Sequence, residues 1–304
     1  MLRASVAANG SRAKMVDDEQ SKRDVNSSAV PGGRGSRLAR LGTLAGGLAG
    51  SMLAEGARQF APGKRPRIRD LLLTPANARR VAGQLAQLRG AAMKFGQLLS
   101  MDAGDLLPPH FGDVLARLRA DAQAMPMSQL VNVLEANWGK GWDRHFRQFS
   151  FTPLAAASIG QVHLAETKDG RRLAIKVQYP GIRRSIDSDI DNVATLLRSS
   201  GLLPSGLDVG PLLREAKRQL HAEADYLGEG VWLRRYAGLL ADAPEFMLPA
   251  VYDDMTTESV LAMSCMGGVP VESLLDAPRA ERERVAGLLF SLLFREIFEF
   301  RLIQ

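Results

Sequence analysis

Thiols are almost absent from this chain: Cys265 is its one cysteine in 304 residues. A single thiol excludes an internal disulfide and any cysteine-built metal centre, which fits a reducing compartment. Lying in an apolar run, Cys265 reads as a small core residue rather than a nucleophile. Histidine is also scarce, and His110, His145, His163 and His221 show no metal-ligand spacing. His163 reads as structural. Aromatic residues make up 6% of the chain, and Phe60 is the only one before Phe95. The amino-terminal region therefore lacks the stacking platforms of a single-stranded nucleic-acid binder. Nor is there a transmembrane span: the longest charge-free stretch there, Leu41 to Ala54, is 14 residues with four glycines, where a spanning helix needs about 20.

What is present is charge, unevenly placed. The net charge is +6, yet residues 1–80 hold 15 Lys/Arg against 6 Asp/Glu, leaving the remainder at about −3. A basic segment suggests a polyanion. With no interleaved aromatics for base stacking, an anionic membrane surface is expected rather than nucleic acid, a merely solvated basic tail being the alternative. Residues 1–36 are rich in Ser, Gly, Ala and charge, without apolar periodicity, and read as a disordered basic tail. Met1 to Val16 carries Arg3, Arg12 and Lys14 and no acid, the bias of an organellar transit peptide, but Asp17-Asp18-Glu19 follows at once. Leu41 to Ala54, flanked by Arg37, Arg40 and Arg58, reads as an interfacial or buried small-residue helix.

The chemistry concentrates between Phe151 and Gly181. Val162 to Glu166 and Leu173 to Gln178 are β-rich runs on either side of Lys168-Asp169-Gly170, a hairpin signal. Before them stands Ala155-Ala156-Ala157-Ser158-Ile159-Gly160, a loop with so little side chain that its backbone could approach a phosphate closely. Lys176 would sit on the strand facing that loop, placed to pair with phosphate oxygens. Loop, hairpin and strand lysine in this order are the layout of a protein-kinase nucleotide lobe. The bland alternative is an ordinary sheet with a flexible turn and a solvated lysine.

Elsewhere the patterns are helical. Asp70 to Leu99 carries Leu85, Leu88, Ala92, Phe95 and Leu99 on one face, with Lys94 and Gln97 off that stripe. A helix is expected over Ser128 to Asn137 with Ser128 as its cap, and another over Ile182 to Arg198. Val209 to Leu240 reads as a long helix broken near Gly228 or Gly230. Pro249 to Asp253 and Ser259 to Met263 look like the remaining strands, and Arg279 to Gln304 like one helical run.

Four ordered motifs then stand out: Lys94-Phe95-Gly96-Gln97, the Ala155 to His163 loop, Ala174-Ile175-Lys176-Val177-Gln178-Tyr179-Pro180-Gly181, and Glu223-Ala224-Asp225-Tyr226. Together they resemble the UbiB/AarF family of atypical kinase-like proteins, over about Asp70 to Gln304. The resemblance implies an α+β, protein-kinase-like fold: a small β-rich N-lobe, a truncated helical C-lobe and a family-specific helical extension. The expected division is a tail over 1–36, the extension over 37–145, the nucleotide-binding lobe over 146–266, and hinge with the start of the C-lobe over 267–304.

The resemblance also implies site residues. Lys176 would hold nucleotide phosphates, with Glu229 as its helix partner; Glu215 is the alternative, because the helix break leaves the register open. Glu223 and Asp225, with Lys94 and Gln97, would form a layer folded over the site where a typical kinase takes a protein substrate. Lys94 would meet Glu223 or the phosphates. Residues 155 to 160 would cover the nucleotide. Met263 and Cys265 would lie at the hinge beside the adenine, with Ser264 where the family usually has Glu. ATP is the implied cofactor, with Mg2+ held by residues expected beyond 304, since Phe298 to Gln304 matches the approach to the family's catalytic loop. On that reading the chain is a fragment. The implied activity is that of an atypical kinase or ATPase supporting ubiquinone or related prenyl-lipid biosynthesis. Its partners would be an anionic membrane surface, prenyl-lipid intermediates and quinone-biosynthesis proteins. Its place would be peripheral on the cytoplasmic side of a bacterial membrane, or mitochondrial in a eukaryote. A non-catalytic nucleotide-binding scaffold is the alternative.

Overall fold

The computed structural model describes residues 124–199 and 208–302, together with Ala91, Lys94 and Leu98, which are helical. The expectations for the basic tail, the small-residue helix over 41–54, the rest of the 70–99 helix and Gln97 lie outside the described residues.

Helix α1 (Met127–Trp138) opens the described core. It begins at Pro126, whose carbonyl accepts from Gln129 and Leu130 at 2.9 and 3.1 Å. Ser128, expected as the cap, therefore falls inside the first turn. Leu130 and Leu134, one helical turn apart, are fully buried and form the face laid on the sheet. At the far end Trp138 donates from its indole to the Met255 carbonyl at 2.9 Å, fixing the helix to the loop before the last strand.

The sheet is antiparallel throughout. Its strands are β1 (Phe146–Phe149), β2 (Ala155–Ala156), β3 (Gly160–Thr167), β4 (Arg172–Gln178) and β5 (Val260–Ser264), in the order β1-β3-β4-β5 with β2 also on β3. The β3–β4 hairpin turns at Lys168-Asp169-Gly170 as its sequence predicts. Gly170 sits at φ +87°, a conformation that side chains with a Cβ resist. Alternation along the strands gives the sheet two distinct faces. Leu173, Ile175 and Val177 from β4 and Val260 and Ala262 from β5 form the dry face, under Leu130, Leu134, Trp142 and Phe146. Lys176 and Gln178 point to the other.

Three helices follow: α2 (Ile182–Ser199), α3 (Gly210–Glu223) and α4 (Tyr226–Leu239). The break expected near Gly228 or Gly230 comes instead at Ala224-Asp225. Asp225 is the cap of α4, its carboxylate accepting from the Gly228 amide at 3.0 Å. A carboxylate able to satisfy an orphan amide ends the preceding helix more decisively than glycines inside the next one.

Two further expectations need correction. Residues 249–253 form no strand, only a bridge between Val251 and Met263. Pro249 has no amide to give a ladder, and the chain turns at once through Asp253, which is held by Arg234 at 2.7 Å. The run from Arg279 is α-helical only through Phe294 (α5), then winds as a π-turn over Arg295–Phe300 and ends at Arg301 in the left-handed region, φ +50°. In the wider turn Glu296 is buried and accepts from the Tyr236 hydroxyl of α4. Burial and that carboxylate together push the Tyr236 phenol up to about 12. Cys265 is not a core residue; it is half-buried just past β5, where its amide donates to the Arg172 carbonyl at 2.9 Å.

Candidate nucleotide site

Register places the loop, the hairpin and the lysine in one row. Ala155 pairs with Val162, Val162 with Lys176, and Lys176 with Leu261. Directly paired residues share a face, so the Lys176 side chain rises on the same side as the start of the small-residue segment. That segment is more ordered than a plain loop, since Ala155 and Ala156 add a two-residue strand to β3. Ala157 closes it back with a 2.8 Å bond to the Gly160 carbonyl.

Glu229 meets Lys176. The Lys176 ammonium donates to both Glu229 carboxylate oxygens, at 2.8 and 2.7 Å. It also lies 4.8 Å from the centre of the Tyr226 ring, a distance at which a cation is attracted to an aromatic face. The lysine side chain is only 16% exposed. Asp225 and Tyr226 make this possible: by starting α4 where they do, they put Glu229 one turn in, over the lysine. Glu215 has other business. It takes Arg218 and Gln219 on the α3 surface, and chiefly the Arg218 guanidinium brings its carboxyl down to about 2.

Glu223, the last residue of α3, joins two segments far apart in sequence. One carboxylate oxygen takes the Lys94 ammonium at 2.6 Å, and the other takes the Ser158 hydroxyl. The expected meeting of Lys94 and Glu223 is thus present. The bond to Ser158 adds that the small-residue segment is tied to the same carboxylate.

Between these ion pairs the α3–α4 junction is pressed onto the sheet. Gln178 donates to the Ala224 carbonyl at 2.7 Å and to the Glu258 carbonyl at 3.2 Å. Gly160 is needed for this approach. A Cβ there would stand 2.3 Å from the Val177 carbonyl oxygen and 2.9 Å from the Tyr226 hydroxyl. Tyr226 itself is fully buried. Burial first, then the nearby Glu229, push its phenol well above the ordinary range, so it stays protonated.

The opposite face of β3 has a polar relay of its own. Gln161 accepts from the Met125 amide at 2.9 Å and contacts the His163 Nε2 at 2.8 Å. His163 Nδ1 faces the Ser150 carbonyl at 2.8 Å, and a carbonyl can only accept. That fixes the proton on Nδ1 and leaves Nε2 to accept from the Gln161 amide. Burial lowers the His163 pKa and keeps the ring neutral. His163 is structural, as its sequence context indicates.

Of the residues singled out from sequence, Lys176 and Glu229 are joined directly. Lys94, Glu223 and Ser158 form a second joined group, and Ile159 and Gly160 follow under it. Asp225 faces the Gly228 amide as a helix cap. Met263 pairs with Ala174 inside the sheet, and Cys265 follows β5. Two cavities, of about 590 and 780 Å³, lie at the hairpin end and beside α1 and α2; neither is lined by Lys176. The site is defined by its charges rather than by those hollows. Sequence reasoning gave no role to Tyr226 or Gln178, although both stand inside its motifs.

Known proteins are similar to this chain over most of its length. The ABC1 atypical kinase-like domain matches residues 117–304. Atypical kinase COQ8, mitochondrial, of Saccharomyces cerevisiae is 36% identical over 287 residues, covering 94% of this chain and 57% of that protein. Atypical kinase COQ8B, mitochondrial, of Rattus norvegicus is 40% identical over 277 residues, covering 90% and 52%. Probable protein kinase UbiB of Xylella fastidiosa is 30% identical over 266 residues, covering 85% and 47%. The chain spans about half the length of these relatives.

Proposed function

The chain belongs to the UbiB/AarF family of atypical kinase-like proteins, and from that premise we propose that it binds ATP at Lys176 and serves an atypical kinase or ATPase activity. The activity supports ubiquinone or related prenyl-lipid synthesis at a membrane. The observation that carries the nucleotide assignment is the Lys176–Glu229 pair beneath the small-residue segment. A lysine ammonium has three donors. Glu229 engages it bidentately and fixes its direction, and among the described residues the ammonium's remaining donor is left to meet a phosphate oxygen. Pre-positioning matters because phosphoryl transfer depends mostly on placement and on neutralising charge.

Lys94 reaches this neighbourhood from the amino-terminal extension through Glu223. In our reading it narrows access for a protein substrate, favouring a small or lipid acceptor. A divalent cation, when bound with ATP, would neutralise charge on the phosphates. Among the described residues no cluster of three His, Cys, Asp or Glu could hold one. Among the same residues no helix is long and apolar enough to cross a membrane. The surplus of Lys and Arg in residues 1–80 supports contact with an anionic membrane surface. A mitochondrial setting is consistent with the name of the Saccharomyces cerevisiae relative.

The test is Lys176→Ala in the full natural protein, with ATP affinity measured by calorimetry. Loss of a charge-assisted contact costs about 1.5–3 kcal/mol, or about 10- to 150-fold in affinity. A melting curve checks that the variant is folded. Affinity equal to that of the parent would remove Lys176 from the site.

A further inference from the structure

Tyr226 heads the fully buried side chains by volume, yet its hydroxyl has no hydrogen-bond partner among the described residues. Buried polar atoms are nearly always paired, and an exception calls for a reason. Packing supplies none. The ring alone fills the space and meets the Lys176 ammonium at 4.8 Å, and phenylalanine would do both. Nor is the hydroxyl a tolerated accident at a roomy spot. It lies against Gly160, where any added Cβ would come within 2.9 Å of it.

The surroundings define what such a hydroxyl could serve. It is a protonated phenol, kept so by burial and by the nearby carboxylates of Glu229 and Glu223, and so it is available as a donor. The Lys176 ammonium lies over the same ring. Above stands a segment closed by the Ser158 bond to Glu223. An ammonium lying over the ring of a neutral phenol, beside a segment held by Ser158, offers donors that complement an anionic oxygen.

We propose that Tyr226 is a further phosphate ligand of the nucleotide site: once the Ser158 segment lifts from Glu223, the Tyr226 hydroxyl donates to a phosphate oxygen that Lys176 also holds. This rests on the nucleotide reading above. It assigns the last residue of the Glu223 to Tyr226 motif a direct role in binding and gives Gly160 a purpose beyond close packing.

Tyr226→Phe removes the hydroxyl and keeps the ring. The experiment compares parent and variant, in the full natural protein, by calorimetry with magnesium ATP and with adenosine, and by melting without ligand. ATP affinity should fall about tenfold, the effect of one hydrogen bond to a charged group. Adenosine affinity should be unchanged, and the unliganded melting temperature should stay level or rise by about 2–4 °C as an unpaired polar atom is removed. Three results would overturn the assignment. ATP affinity within twofold of the parent would mean that no phosphate contact exists. Equal weakening of ATP and adenosine would mean the hydroxyl acts on the whole site. A clear drop in melting temperature would mean that it has a protein partner. Failure of the parent itself to bind ATP sinks the nucleotide reading and this assignment with it, whereas a binding parent with an unaltered variant sinks the tyrosine assignment alone.

Discussion

Replacing Lys94 with methionine keeps the aliphatic stem and removes the charge, so the variant reports on the ion pair alone. The ammonium sits 2.6 Å from Glu223, and the two side chains are 20% and 31% exposed. Exposed pairs contribute about 0–1 kcal/mol, while cutting a fully buried pair on one side costs about 3–5 kcal/mol. Partial exposure places this pair between those limits. Glu223 also keeps its bond to Ser158, so its carboxylate is not stranded. A loss of about 1–2 kcal/mol follows, toward the lower end of the range. For a domain of this size that lowers the melting temperature by about 2–8 °C. The second readout is activity. If Lys94 narrows the cleft, ATP turnover changes or autophosphorylation emerges once it is gone. A double-mutant cycle with Glu223→Gln isolates the coupling between the two side chains. Unchanged melting, ATP turnover and autophosphorylation in Lys94→Met would refute the reasoning and leave Lys94 a solvated helix residue. A lowered melting temperature with unaltered activity would confine it to anchoring.

Gly160→Ala should destabilise the fold by about 1–3 kcal/mol, the range for forced overpacking, because its Cβ would meet the backbone oxygen of Val177 at 2.3 Å; a melting curve matching the parent would show that β3 can shift freely. His163 predicts a pH dependence. Its folded pKa lies below the ordinary value of 6.5, so its contribution is complete above about 6.5 and is lost as pH falls from there toward the folded value, where the unfolded chain alone takes up the proton. His163→Gln should flatten the fall in melting temperature below about pH 6.5, and an identical slope in parent and variant would show that another group titrates there.

The hairpin and its lysine were legible because they are local. Asp169-Gly170 specifies a turn within a few residues, and alternation then dictates which side chains share a face. The partner of Lys176 was only half legible. Glu215 and Glu229 are both helical carboxylates, and choosing between them required the position of the helix break. Glycine marks the break in the sequence pattern, whereas Asp225 ends one helix by capping the next. The π-turn at Arg295 could not be read at all. It accompanies the burial of Glu296 against Tyr236, a contact 60 residues away in sequence that no local pattern encodes. Cys265 was misplaced for a similar reason: an apolar run predicts burial only if something covers it.

The arrangement of the site follows from one junction. Glu223 ends α3, Asp225 caps α4, Tyr226 fills the gap beneath Gly160, and Glu229 lies one turn further on. Within seven residues the chain therefore addresses Lys94, the Ser158 segment and Lys176. Gln178 ties the same junction to β4 through the Ala224 carbonyl. A change in one of these contacts bears on its neighbours. A shift of α4 that moved Glu229 from Lys176 would also move Tyr226 from Gly160, and lifting the Ser158 segment would leave Glu223 to Lys94 alone. The amino-terminal lysine and the strand lysine are thus linked through a few rigid residues rather than across the whole lobe. That linkage is the physical reason why a substitution at Lys94 should be felt at the nucleotide.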